Sequence, residues 1–328
     1  MNGDWFKFHI PESDSMKLQL FWMLFVLAAM SNNWLFGRPI QGTDNQMESL
    51  VEAGAKVEKL AGGMTFTEGP VWIPAKQILV FSDIPNGRLM QWSDSDGLKE
   101  FRQSDKSNGN ILDLEGRLIS CQHAARNVVR TEPDGTVKVL VDRFEDKRFN
   151  SPNDATIRSD GSIWFTDPCW GLEGEHELEG HWVFKLEPES GKVQPVIKDM
   201  SMPNGIIFSP DESRLYISDT GGHPRHPDQS FHRHPACIRC YEVDSAGKLG
   251  KLMFTIDRGS DGMAVDVEGN LYTTDADKVF VYNADGKKIE EIQVPENPAN
   301  VCFGGKDFRT LFITARTSLY QIRLKNAG

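Results

Sequence analysis

One five-residue pattern recurs six times along the chain: two apolar residues, a third that is usually apolar, a small polar residue, and then usually Asp. The copies are Leu79 to Asp83, Leu118 to Gln122, Ile163 to Asp167, Leu215 to Asp219, Leu271 to Asp275 and Leu311 to Ala315. Apolar runs this short, bounded by turn residues, read as strands rather than helices. Most copies follow a turn such as Glu115-Gly116, Asp160-Gly161 or Glu268-Gly269, where the glycine supplies the positive φ that a hairpin needs. Another apolar strand precedes the turn, as in Gly69 to Trp72, Asn153 to Ile157, Gly205 to Phe208 and Met263 to Asp266. A third strand follows, as in Val128 to Arg130, Trp182 to Leu186 and Val279 to Tyr282, and turns such as Pro133-Asp134-Gly135 and Ala284-Asp285-Gly286 lead to a fourth. Four antiparallel strands per unit, repeated six times without helical periodicity, predict an all-β, six-bladed β-propeller. Lys56 to Leu60, ahead of the first blade, is expected to be the outer strand of the sixth, which would close the ring and leave no open edge.

Propeller ligands bind where the innermost strands converge, so the residue that opens each of these strands is the one to inspect. Reading back from the repeated strand gives Glu68, a polar stretch around Asn110, Asn153, Asn204, Asp261 and Asn300. Asn and Asp often cap turns at strand starts, but turn chemistry does not explain their alignment on one axis. Carboxylate and carboxamide oxygens are hard ligands suited to Ca²⁺, Mg²⁺ or Mn²⁺, and no thiol shares the register. A central site for one divalent cation follows.

Five segments carry a resemblance to a known family: Thr67-Glu68-Gly69-Pro70-Val71-Trp72, Ser151-Pro152-Asn153-Asp154, Phe165-Thr166-Asp167-Pro168, Met202-Pro203-Asn204-Gly205, and Ser260 to Asp266. From about residue 56 onward the chain resembles the gluconolactonase, regucalcin (senescence marker protein) and luciferin-regenerating enzyme family. The resemblance implies a metal held by Glu68, Asn204 and Asp261, with Asn153 contacting the metal, its water or the substrate. It implies Ca²⁺ as the first expectation, with Mg²⁺, Mn²⁺ and Zn²⁺ as alternatives, and hydrolysis of a sugar lactone. In such a lactonase the cation would polarise the carbonyl and Asp261 would serve as general base. Animal members have Arg two residues before the Asn, where this chain has Ser151, so substrate recognition is expected to differ. Gln122-His123 resembles a pair in bacterial members that brings His123 to the substrate, against the alternative of a structural histidine. Asp167, Trp170 and Gly171 to His181 are expected at the pocket mouth, with Asp167 contacting substrate. No Gly-x-Ser-x-Gly elbow is present, which argues against a serine triad. Two other readings stay open: a phosphotriesterase-like hydrolase on the same scaffold, and a non-enzymatic, metal-stabilised binding platform.

Charge narrows the partners. The formal net charge of −11 argues against nucleic acid, whose phosphates call for clustered Lys and Arg. Leu18 to Met30 is an apolar run behind Lys17 and ahead of polar Ser31, Asn32 and Asn33, the pattern of a secretory signal. It falls short of the roughly 20 residues that span a bilayer. Residues 1–45 are therefore expected to be a signal-like segment and 46–328 the propeller. This implies export to a periplasm or medium without a stable membrane span, the alternatives being an uncleaved anchor or a core helix in a cytoplasmic protein. The five cysteines are too scattered for a disulfide framework, although one bridge is possible. Cys237-Ile-Arg-Cys240 lies in a strand-like run and reads as structural. His223, His226, His232 and His234 match no standard zinc spacing and are expected in a long loop.

Overall fold

A computed structural model describes residues 49–222 and 235–328. Six four-stranded antiparallel sheets form the blades. Blade 1 is Thr67–Ile73, Ile78–Asp83, Arg88–Ser93 and Gly97–Gln103; blade 2 is Ser107–Leu112, Leu118–Gln122, Asn127–Thr131 and Val137–Val141. Blade 3 is Ala155–Ile157, Ile163–Asp167, His181–Glu187 and Lys192–Met200; blade 4 is Pro203–Phe208, Arg214–Asp219, Cys237–Val243 and Leu249–Ile256. Blade 5 is Met263–Val265, Leu271–Asp275, Lys278–Tyr282 and Lys288–Gln293. Blade 6 is Pro298–Gly304, Thr310–Ala315 and Ser318–Arg323, completed by Glu58–Gly62 from the other end of the chain. That last strand pairs antiparallel with Ser318–Arg323, so the expected ring closure is present. Among the described residues the helical structure is a single 3-10 turn, Ile84–Asn86, and no helix is long and apolar enough to cross a membrane. The signal-like run 18–30 and the histidines of 223–234 lie outside the described residues.

Each position of the repeated pattern has its own physical task. The repeated strand is second from the axis and is covered on both faces by neighbouring blades, so consecutive residues are apolar instead of alternating. In blade 1, Leu79 and Phe81 pack toward blade 6 and Val80 toward blade 2. In blade 3, Ile163 and Phe165 pack toward blade 2 and Trp164 toward blade 4. Blade 4 repeats this, with Leu215 and Ile217 against blade 3 and Tyr216 against blade 5. The core is thus a set of wedge-shaped clusters between blades.

The small polar residue at the fourth position is a latch between blades. Ser82 Oγ donates to the Asn108 carbonyl at 2.6 Å, Thr166 Oγ1 to the Asn204 carbonyl at 2.8 Å, and Ser218 Oγ to the Ser260 carbonyl at 2.6 Å. Thr274 Oγ1 reaches the Ala299 carbonyl at 2.8 Å in the same way. Each such bond ties the hydroxyl to a main-chain carbonyl at the start of the next blade's inner strand and helps to satisfy that buried acceptor. The Asp that closes the pattern secures the loop entering its own blade. Asp83 accepts the Thr65 amide, and Asp219 accepts the amides of Ser201 and Met202.

Glycines allow the inner strands to approach one another. The Gly205 amide donates to the Asp261 carbonyl of the next blade at 2.8 Å, and a Cβ at Gly205 would lie 2.4 Å from that oxygen. Gly69 has φ +51°, and its Cβ would lie 2.0 Å from the Asn108 carbonyl. The glycines of the Glu-Gly-Pro and Pro-Asn-Gly motifs therefore hold neighbouring inner strands within hydrogen-bonding range. All five cysteines are free thiols, so the possible disulfide does not form.

Candidate active site

The inner strands start at one mouth of the axis, and their first residues line a cavity of about 710 Å³. Glu68, Asn153, Asn204, Asp261 and His123 all reach it, so five of the six residues expected at the site are brought together. Glu68 is 2% exposed; its Oε2 accepts the Gly69 amide at 2.8 Å and the Asn300 side-chain amide at 3.0 Å. Asn204 donates its Nδ2 to Asp261 Oδ1 at 2.8 Å, an arrangement that turns the Asn204 carbonyl oxygen into the atom for a cation. Register shifts at Glu68/Val71, Ser107/Asn110 and Pro203/Ile206 mark bulges at these strand starts, a device that re-aims side chains beside functional sites.

Glu68 and Asp261 put negative charge in the cavity floor, and Asp154, lining the other end of the channel, adds to it. Burial pushes the Glu68 carboxyl well above its ordinary range, and the nearby Asp261 and Asp154 carboxylates push it further. Burial also raises Asp154, to about 7, and Asp261, to about 6, although the Asn204 amide, Glu68 and the Arg316 guanidinium oppose the rise at Asp261. Like charges brought together in a poorly solvated site are stable when a cation or a proton joins them. All the donors of the set are oxygens and no thiol lines the cavity, so these residues fit a hard divalent cation.

His123 stands across the cavity, 5% exposed, its Nε2 3.2 Å from Asn108 Nδ2. Burial, helped by the Lys106 charge, lowers its pKa to about 4, so the ring is neutral at pH 7. The amide of Asn108 donates to Nε2, which places the ring proton on Nδ1. Gly171 lies directly over the ring: a Cβ there would be 2.2 Å from Nδ1.

Three expectations need correction. Asp167 does not face the cavity; it is fully buried and accepts the Asn150 amide at 2.8 Å. It is the closing Asp of the repeated pattern and does the loop-holding task that Asp83 and Asp219 do in blades 1 and 4. Burial raises its carboxyl to about 8. In blade 2 the cavity residue is Asn108. Asn110 is one level deeper, with Nδ2 donating to the Gly69 carbonyl at 2.8 Å and Oδ1 accepting from Ser120 at 2.7 Å. Asn300 is likewise deeper, behind Glu68, and Asn297, Pro298 and Ala299 line the cavity in blade 6. Ser151 is fully buried; its hydroxyl donates to the Pro168 carbonyl at 2.7 Å and accepts the Gly171 amide at 3.1 Å. It therefore holds the segment carrying Trp170, which does line the cavity as expected.

Arg316 and Phe66 also line the cavity without any motif that marks them, and Asp154 acts on Glu68 from outside it. Arg316 follows directly on the last repeated strand and lines the cavity, its guanidinium carbon 5.5 Å from the centre of the Phe66 ring. No repeat position signals it, because the other blades do not place Arg there. Asp154 could have been found from its place beside Asn153.

A closed six-bladed propeller whose axial mouth gathers buried carboxylates and carboxamides defines the class: a propeller with a pocket built of hard oxygen donors. Residues 66–317 match the family described as SMP-30/Gluconolactonase/LRE-like region, and the chain belongs to that family. A gluconolactonase of Zymomonas mobilis is 29% identical over 86% of this chain and 85% of its own. A 6-deoxy-6-sulfogluconolactonase of Pseudomonas putida is 30% identical over 76% of this chain and 82% of its own. Among solved structures, a gluconolactonase of Xanthomonas campestris superposes with a TM-score of 0.73 at 31% identity, covering 84% of this chain and 91% of that one.

Proposed function

We propose that this chain is a metal-dependent lactonase acting on a sugar lactone. The observation that carries the reading is the pair of carboxyls, Glu68 and Asp261, that line one cavity beside Asn153 and Asn204, with the Asp154 carboxyl near enough to push Glu68 up further. The lactonase names of the Zymomonas, Pseudomonas and Xanthomonas relatives support the reaction class. A divalent cation, when bound, supplies Lewis-acid polarisation of the lactone carbonyl. Glu68, Asn204 and Asp261 would hold it, with Asn153 beside them, and oxygen donors favour Ca²⁺ over softer ions. Asp261 accepts the proton of the attacking water, because of the two carboxylates lining the cavity it is the more exposed, whereas Glu68 is 2% exposed. Asn108 and neutral His123 present hydrogen-bonding groups to the sugar hydroxyls. Phe66, Ile84 and Trp170 form the apolar part of the wall, and the Arg316 charge lies on the same wall. Export on the 18–30 segment belongs to the same proposal and is checked by fractionating cells that express the full chain.

The test is gluconolactone hydrolysis followed by acid release, with chelator and then with Ca²⁺, Mg²⁺, Mn²⁺ or Zn²⁺ added back singly. Loss with chelator and recovery with a metal is the expected result. A chain that hydrolyses no aldonolactone under any of these metals is a binding platform instead.

A further inference from the structure

A second cluster of ligating side chains stands apart from the axial carboxylates. Cys169, His176 and His181 each offer one ligand atom, and these atoms all lie within 4.8 Å of one another. Cys169 lies just after the repeated strand of blade 3, His176 is on the connection between the second and third strands of that blade, and His181 opens the third strand. We propose that these three side chains form a second metal site, for a thiophilic transition-metal ion of the zinc type, which clamps the segment carrying Trp170 to blade 3.

The supporting bonds orient both rings as ligands. His181 Nδ1 is 2.5 Å from the Ser201 carbonyl, an acceptor only, so that nitrogen carries the proton. His176 Nδ1 is 3.1 Å from Asn150 Oδ1, while Asn150 Nδ2 donates to the carbonyls of Asp167 and Gly180 at 3.0 Å each. Asn150 is thus fixed with its oxygen toward His176, which also protonates Nδ1. Both imidazoles are held with the lone pair on Nε2, and an N–H bonded to a carbonyl or amide oxygen behind the ring is the usual outer support of a metal-binding histidine. The two ring centres are 5.6 Å apart.

Donor chemistry selects the ion. A thiol and two imidazoles suit zinc and its neighbours rather than calcium, and the Met202 thioether 3.8 Å from Cys169 Sγ adds no hard oxygen. Zinc bonds of about 2.0–2.3 Å put tetrahedral ligand atoms within about 3.8 Å of each other, so the three groups need to draw in by about 1 Å. Three protein ligands are the count of an open site, with the fourth position left to water. Binding releases the Cys169 thiol proton to solvent and changes no oxidation state. Because Trp170 adjoins Cys169 and Gly171 covers His123, the clamp would set the position of one cavity wall.

The test uses the chelator-stripped chain, kept reduced and in excess Ca²⁺ so that the axial oxygen donors are not open to the probe, and titrates in Co²⁺. Expected are a thiolate-to-cobalt charge-transfer band saturating at one equivalent and its loss when Zn²⁺ is added. The band should be absent in Cys169→Ser and weakened at least tenfold in affinity in His176→Ala, whose side chain is only partly buried. It should persist in Glu68→Gln, which keeps this site separate from the axial one. Circular dichroism of each variant confirms folding. Absence of the band in the wild-type chain, or its survival in Cys169→Ser, overturns the proposal.

Discussion

The two mouths of the axial channel are made by opposite ends of the same six inner strands, yet their rims differ in chemistry. One mouth gathers Glu68, Asn108, Asn153, Asn204 and Asp261 around about 710 Å³. The other presents an apolar rim of Val71, Ile111, Ile157, Ile207, Val265 and Cys302, one from each blade, around about 390 Å³, with Asn110, Asp154 and Asn300 also in its lining. A strand three to seven residues long is enough for this polarity. Chemistry collects where strands begin, beside bulges and glycines that free the backbone to aim side chains. Where the strands end, apolar residues close the channel by packing. The scaffold thus separates a site that tolerates electrostatic tension from a plug that contributes only stability.

The sharpest way to break this comparison is to neutralise the polar mouth. Asp261→Asn should lower kcat for lactone hydrolysis by about 10²–10⁴-fold, the usual contribution of a positioned general base, with the circular dichroism spectrum unchanged. A turnover within a few-fold of wild type would reassign the base. Ser218→Ala acts between the two mouths. Its hydroxyl donates to the Ser260 carbonyl and accepts the Ser260 amide at 2.7 Å, next to Asp261. Losing it strands buried backbone groups, and urea titration should show destabilisation of about 1–3 kcal/mol. At the apolar mouth, Ile207→Ala should cost about 1–2 kcal/mol, below the fully buried range because the residue is only partly buried, and leave KM and kcat unchanged. A change in KM there would mean that the two mouths communicate.

A smaller effect comes from Glu296, on the loop just before the cavity residue Asn297. Partial burial disfavours its charge, but hydrogen bonds from Ser318, the Thr317 amide, Tyr320 and the Thr317 hydroxyl outweigh that and bring its pKa to about 2. A carboxyl depressed on folding stabilises the protein above its unfolded pKa, and that contribution disappears as pH falls toward the folded value. Glu296→Gln should therefore flatten the loss of stability between about pH 4.5 and 2, read by denaturant titration at each pH. An unchanged acid limb would show that the carboxylate bonds are not maintained in solution. Smallest of all, Asp167→Asn should leave kcat within about twofold, since the residue holds a loop and touches no substrate; a large loss of kcat/KM would return it to the site.

The sequence made the architecture legible because the repeat is physical. Blade-to-blade burial demands the apolar run, and the latch demands Ser or Thr after it. Even the swap of the first strand into the last blade was readable. The site was legible at Glu68, Asn153, Asn204 and Asp261, where motif and register agree. It failed at Asp167, although the repeat itself held the answer: a residue equivalent to Asp83 and Asp219 is a loop anchor in all three. Asn110 and Asn300 were misjudged by one level because bulges break the constant spacing back from the repeated strand, and a bulge leaves no mark in the residue pattern. Arg316 was invisible because it is unique to one blade. The cluster of Cys169, His176 and His181 was hidden for another reason: its spacing matches no zinc motif, and only the return of the chain into the third strand of blade 3 brings the three together.

Strand Glu58–Gly62 lies against Ser318–Arg323, so the ring is joined by the first and last of the blade strands. During synthesis, five blades can complete their pairing while the ribosome is still at work, but the sixth cannot until Ser318–Arg323 has emerged. Until that moment Glu58–Gly62 remains an unpaired strand. The emergence of the six residues Ser318–Arg323 therefore decides when the nascent chain stops being a sticky edge and becomes a closed protein.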